Sequence, residues 1–263
     1  MVFNLLRRDG RNLYTLALMD FISGEIIGID KPLKWTSFDA VKRVRGAVQR
    51  RLRLKKFKVG HAGTLDPLAT GVLIVCTGRA TRRIEELQSG EKEYVATVEL
   101  GATTPSFDLE TEIDAQYPTS HINETLACEA LKSFEGEIMQ VPPVFSAVKV
   151  DGKRAYKYAR SGKDLELKAK PVKINEIEFI SLNNNLLKFR VVCSKGTYIR
   201  ALARDLGQKL NSGAHLVELR RTRVGDIRIE DCMTIDEAVK KIADTPLSFP
   251  ENYHLSLSGD GHE

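Results

Sequence analysis

No apolar run in the sequence approaches the ~20 residues that a helical membrane span requires, which excludes such a span. Cysteine is scarce too. The four, Cys76, Cys128, Cys193 and Cys232, lie far apart with no C-x-x-C pair and no adjacent histidine. That excludes a disulfide frame or a cysteine-rich zinc site and fits the reduced thiols of a cytoplasmic protein. H-x-H and H-E-x-x-H are also missing, so no metal site and no metal cofactor are expected. Neither an internal repeat nor a linker divides the 263 residues, and a hydrophobic fraction of 42% excludes wholesale disorder.

Acid is missing where cations gather. From Lys42 to Lys58 the chain carries nine Lys or Arg and no carboxylate, and a second basic cluster, LRRTR, occupies 219–223. With a net charge of +5, two such blocks suit a polyphosphate backbone better than a small acidic metabolite. The N-terminal piece has arginines around a short apolar stretch but no small-residue cleavage site, so it is not read as a secretion signal. Met19 is taken as the start of the protein proper, and residues 1–24 are expected to lie outside the core.

Residues 24–32, GEIIGIDKP, read as a strand stopped by Pro32. TSFDAVKRVRGAVQRRL follows, with Thr36 and Asp39 at capping-box spacing and Phe38, Val41, Val44, Val48 and Leu52 at helical spacing, which predicts an amphipathic helix with its cations outward. VLIVC at 72–76 predicts a buried strand, ATRRIEELQSG at 80–90 a helix closed by glycine, and KEYVATVELG at 92–101 a half-buried strand. TTPSFDLETEID reads as a polar connection and NETLACEALKSFEGEI as a helix capped by Asn123. Residues 140–172 are irregular, with paired prolines and tyrosines alternating with cations, as in a surface loop that grips a partner. KINEIEFISL and LKFRVVCS pair around an Asn-rich turn, and TYIRALARDLGQKL is a helix with Ile199, Leu202, Ala203, Leu206 and Leu210 on its core face. HLVELRRTRVGDIRIED completes the sheet before a small helix, TIDEAVKKIAD. Without a regular βαβ repeat, this order predicts an α+β fold, a mixed, mostly antiparallel sheet flanked by helices.

Residues 60–71, GHAGTLDPLATG, hold Asp66, the only carboxylate between Leu52 and Glu85. Asp-Pro after a glycine-rich turn is commonly an Asx turn or a helix cap. Here apolar residues flank the acid, so its charge needs a partner, and Arg200 near the start of its helix is the one expected. An ionised carboxylate in a dry pocket attacks an electron-poor carbon or stabilises a developing cation. Glycosidases add a second carboxylate as proton donor, and none stands in this stretch, which fits a leaving group that needs no donor. His61 reads equally as a structural histidine or as an RNA contact. Tyr94 is either an ordinary half-buried strand residue or one that stacks on a base; Tyr198 and Arg200 either close the core or border a site.

At these residues the sequence resembles the bacterial tRNA pseudouridine synthase B (TruB) family. GHAGTLDPLATGVL is similar to its catalytic motif, KPLKWTSFDAV to its N-terminal motif, KEYVATVELG to its tyrosine strand, VPPVFSAVKVDGKRAYKYAR to its RNA-gripping insertion, and CSKGTYIRALARDLG with GAHLVELRR to its C-terminal core. The resemblance runs from about residue 25 to 232 and implies a pseudouridine synthase fold with a thumb-like insertion at 140–172. It implies isomerisation of the uridine at tRNA position 55, in the T arm, without a cofactor, by a cytoplasmic monomer that needs no protein partner. By the same resemblance Asp66 is the catalytic nucleophile, Tyr94 stacks on the target base, Arg200 pairs with Asp66, Tyr198 borders the site, His61 contacts the T loop and Leu219 forms an apolar wall.

Three departures stand out: residues 233–263 are expected to form a short helix and a polar tail, too short for the RNA-binding PUA domain common in the family; Phe145 replaces a usual tyrosine; and Glu110 stands where glycine is common. A tRNA-binding and folding chaperone with secondary or no catalysis fits the basic surface equally well, whereas the isolated acid favours the enzyme.

Overall fold

In the computed structural model, which describes residues 18–250 apart from 147–148, 151–152 and 156–166, alternation of apolar and polar residues decides most of the strands. They are β1 (Ile26–Lys31), β2 (Val59–Ala62), β3 (Ala69–Thr77), β4 (Lys92–Leu100), β5 (Gly136–Gln140), β6 (Lys170–Asn183), β7 (Leu186–Cys193), β8 (Ala214–Val224) and β9 (Ile227–Arg228). These nine form one sheet in the order β1-β3-β8-β4-β7-β6-β5, with β2 alongside β3 and β9 alongside β8. Every pairing is antiparallel except β3 with β8. The last long strand is thus inserted at the centre. Along β4, Tyr94, Ala96, Val98 and Leu100 face the core while Glu93, Val95 and Glu99 stay half-buried on the other side, as in an antiparallel sheet with one wet face. Asn184 and Asn185, at φ 48° and 66°, supply the left-handed pair that a two-residue hairpin needs between β6 and β7.

Helix α1 (Ser37–Leu52) starts on the expected box: Thr36 Oγ1 accepts from Asp39 N at 3.0 Å, and the Asp39 carboxylate accepts from Thr36 N at 3.0 Å. Val41, Val44, Val48 and Leu52 are buried, but Phe38 is 60% exposed. A first-turn side chain leans toward the helix N-terminus and so overshoots the core; Phe38 lies beneath the Arg45 guanidinium instead. Residues 78–90 divide into a 3-10 turn and α2 (Ile84–Ser89), and Gly90 at φ −58° ends α2 without the left-handed cap that a terminal glycine predicts. Asn123 Oδ1 accepts from Leu126 N at 2.9 Å to cap α3 (Glu124–Lys132). α4 (Ile199–Lys209) buries its five expected core residues.

Three apolar clusters result among the described residues. The first joins α3 and α4 to β4, β6 and β7; the second joins α1 and α5 (Ile235–Asp244) to β1 and β3; a smaller third packs Val72, Ile74 and Cys76 of β3 with Ala80 and Val224. The second corrects the expectation for residues 1–24. Residues 1–17 lie outside the described residues, but Met19 and Phe21 are 4% and 1% exposed and fill the space beside α1 and α5, with Met19 bridged to Leu247. Two helices meeting at the sheet edge leave apolar surface that this short segment covers. For the same reason α5 is core and not an appendage, through Ile235, Ala238 and Ile242. Phe21→Ala should cost about 3–4 kcal/mol, read as a lowered urea midpoint. A loss under about 1 kcal/mol would return residues 18–24 to a dispensable extension.

Among the described residues no helix is long and apolar enough to cross a membrane, and no group of three or more His, Cys, Asp or Glu is placed to hold a metal ion. Fifteen of the 33 residues of the 140–172 insertion fall outside the described residues.

Candidate active site

The loop between β2 and β3 is shaped by glycine and anchored on both sides of Asp66. Gly63 sits at φ 93° and Gly71 at φ 102°, where a Cβ on Gly71 would stand 2.1 Å from the Arg221 carbonyl oxygen. Ser37 Oγ, buried in the first turn of α1, accepts from Leu65 N at 2.8 Å and donates to Leu65 O at 3.1 Å. Asp66 O accepts from Ala69 N at 3.1 Å, and Pro67 O accepts from Lys34 N at 2.8 Å. Below the loop, Lys31 is fully buried and its ammonium donates to Trp35 O at 2.6 Å and Pro32 O at 3.0 Å; burial lowers its pKa to about 8.

The Asp66 carboxylate turns to Arg200: Oδ2 lies 2.9 Å from Nη2, with 42% of the aspartate side chain accessible against 5% of the arginine. Arg200 is held from every side. Nε lies 3.5 Å from Asp108 Oδ2, Nη1 donates to Ser106 O at 3.2 Å, and Nη2 donates to Phe145 O at 2.9 Å. A planar guanidinium with several fixed donors is an orienting clamp, which a lysine point charge is not. Burial pushes the Asp66 carboxyl above the ordinary aspartate range, Arg200 opposes that, and the negative charge of Asp108 adds to it.

Asp108 has no signal in the sequence. It stands in what reads as a polar connection, yet it is 5% exposed, and the loop closes on it: Thr104 Oγ1 donates to Asp108 O at 2.7 Å and Glu110 N to Oδ1 at 2.9 Å.

β4 and β8 form the opposite wall. Their register sets Leu219 against Ala96 and Arg221 against Tyr94 on one face of the sheet. Arg221, 1% exposed, donates from Nε to Val72 O at 2.7 Å and from Nη2 to Gly63 O at 3.1 Å, tying β3 to the glycine-rich loop. This corrects the reading of residues 219–223 as a phosphate-binding block. Arg221 points inward, Arg220 pairs with Asp30 at 2.7 Å, and Arg223 lies 3.8 Å from Glu91. Strand alternation carried that signal, because Arg221 shares the face of Leu219.

Tyr198 precedes α4, and its backbone is clamped by the buried Gln140, which accepts from Tyr198 N at 2.8 Å and donates to Tyr198 O at 3.2 Å. Asp66, Tyr94, Tyr198, Arg200 and Leu219 line a single cleft of about 260 Å³ together with Lys92 and Arg221. Burial raises the pKa of both Tyr94 and Tyr198 and lowers that of Lys92 to about 8. His61 is not part of the lining. It sits on β2, two residues before Gly63, with Nδ1 buried and unpartnered; burial and then the Arg221 charge hold its pKa below the ordinary value.

A half-open carboxylate fixed by a buried arginine, beside an aromatic ring and an apolar wall, can act on a carbon presented in the cleft. Known proteins share the framework. Residues 49–199 match the TruB family pseudouridylate synthase N-terminal domain, and residues 200–246 the tRNA pseudouridylate synthase B C-terminal domain. The chain is 65% identical over 218 residues to tRNA pseudouridine synthase B of Phocaeicola vulgatus, spanning 83% of this chain and 93% of that one. It is 52% identical over 217 residues to the protein of that name from Flavobacterium johnsoniae, spanning 82% and 95%. A chain in the crystal structure of a Cbf5-Nop10-Gar1 complex superposes with a TM-score of 0.62 at 32% identity over 84% of this chain, which spans 54% of that longer chain. With both halves of the cleft inside the matched residues, Asp66 and Tyr94 in the first and Arg200 and Leu219 in the second, the chain belongs to the TruB family of pseudouridylate synthases.

Proposed function

We propose that this chain is an isomerase that converts uridine to pseudouridine at position 55 in the T loop of tRNA, acting as a monomer in the cytoplasm. The observation that carries the reading is the Asp66–Arg200 pair at 2.9 Å in a cleft lined by Tyr94 and Leu219. Asp66 stands within the cleft beside Tyr94 and Leu219, a setting that suits a single base taken out of its stack. Tyr94 then offers the base a ring and Leu219 an apolar wall. His61, outside the lining, contacts the emptied T loop.

The chemistry is an internal exchange. Asp66 assists cleavage of the C1′–N1 bond, either by attack on C1′, with its ester bond displaced when C5 bonds there, or by taking the C2′ proton, which it returns when C5 bonds to C1′; on both routes uracil leaves as an anion and turns in place. The C5 proton is lost and N1 gains one, so atoms and electrons balance. The second carboxylate nearby, Asp108, is bound behind Arg200, which leaves Asp66 as the acid that faces the cleft.

The test is incubation with unmodified tRNA transcript, followed by mapping of carbodiimide-reactive pseudouridine along it. One new stop at the T-loop uridine is the expected result. Tight binding with no pseudouridine would favour a tRNA-folding chaperone.

A further inference from the structure

Of the two basic blocks in the sequence, the one at 219–223 is neutralised within the fold, whereas on α1 the pairing is partial: Arg43 lies 3.9 Å from Asp236, and Arg45 and Arg51 donate to the carbonyls of Val59 and Thr245. Lys42 and Arg50 are exposed on the outward face of α1, with Gly46 midway between them. Positions four apart share one stripe of a helix. Along this stripe runs an open groove of about 760 Å³, lined by Lys34, Lys42, Arg50 and the half-buried Trp35, with one carboxylate among them, Asp39, which is engaged by the backbone N and hydroxyl of Thr36.

Two features mark the groove as built for a ligand. Glycine inside a helix weakens it relative to alanine, and nothing in the fold requires glycine here: a Cβ on Gly46 would meet only the Arg50 guanidinium, at 3.5 Å. A bare backbone at the floor of a cationic groove allows a partner to approach closely. Lys34 adopts φ 66°, a left-handed conformation that glycine would adopt without strain, yet the position carries a cation. The Lys34 amide is bonded to the carbonyl of Pro67, the residue after Asp66, so the groove begins at the loop that carries the acid.

We infer that the α1 groove binds the sugar–phosphate backbone of the tRNA where it leaves the cleft. Its cations take phosphates, Trp35 lies against a ribose or base face, and Gly46 gives the chain room. The inference rests on the RNA-modifying reading above and extends the contact surface beyond the flipped base.

The test is fluorescence anisotropy of a labelled, unmodified tRNA transcript across a potassium chloride series. Lys42→Gln/Arg50→Gln should weaken binding about tenfold or more and reduce the slope of log K against log salt by about two. Lys132→Gln/Lys209→Gln, matched in charge change and placed on α3 and α4, should shift affinity less than about twofold. Gly46→Leu removes no charge but fills the groove, and should weaken binding several-fold with no lowering of the melting temperature. Equal losses in the two charge pairs, or wild-type affinity in Gly46→Leu, would overturn the proposal. If Gly46→Leu melts early, the two pairs decide. Pseudouridine formation by the unaltered protein is scored separately: its absence would sink the assignment of activity while leaving the binding comparison intact.

Discussion

Asp66→Asn is expected to bind unmodified tRNA within about threefold of the unaltered protein and to form pseudouridine at least ~10³-fold more slowly. The amide keeps the shape of the carboxyl and a contact for Arg200, so the loop held by Ser37 and Lys34 has no reason to move. What it loses is the negative charge that acts on the sugar carbon. Because burial raises the carboxyl above the ordinary aspartate range, the ionised form exists above that raised value and is lost as pH falls through it. Activity should therefore decline on acidification at a pH higher than an exposed aspartate would give. Melting of Asp66→Asn should be no lower than that of the unaltered protein at neutral pH, since a charge that burial disfavours has been removed. Near-normal turnover in the variant would remove Asp66 from the chemistry.

Arg200 has the second large expected effect, on both stability and rate. Its guanidinium is 5% exposed and joins Asp66, Asp108, Ser106 O and Phe145 O. Arg200→Met leaves two carboxylates facing each other without a cation, and a broken buried ion pair of this kind costs about 3–5 kcal/mol. Thermal and urea melts of that variant should show the loss directly. Arg200→Lys keeps a charge but reaches fewer of the four partners, so it should fold while losing about 10²-fold or more in single-turnover rate. A lysine variant as fast as the unaltered protein would show that any cation suffices and that the planar clamp is incidental.

The elements that the chain announced are those with a repeating local pattern. Thr36 and Asp39 mark the start of α1, Asn184 and Asn185 the hairpin, and the period of Ile199, Leu202 and Leu206 the buried face of α4. What stayed illegible depends on partners far along the chain. Asp108 matters because Arg200 reaches it, and nothing within the polar segment around it signals that. Arg220, Arg221 and Arg223 look alike as composition, but the pleat turns Arg220 away from the inward Arg221, and a bulge in the register between Arg221 and Arg223 lets Arg223 reach a carboxylate as well. Met19 and Phe21 form too short a piece to carry a period, so only the space beside α1 and α5 shows that they belong.

The insertion of β8 between β3 and β4 bears on how the protein folds. Thr70 and Leu219 are neighbours in the sheet although 149 residues separate them, and β8 brings both Leu219 and Arg221 to the cleft. During synthesis β3 and β4 emerge well before the strand that joins them, so their facing edges stay unpaired until most of the chain has appeared. Pairing over such a separation is slow compared with local helix formation. The cleft is consequently among the last parts to assemble, and a chain halted before β8 would hold its aspartate without a wall to bring a base against it.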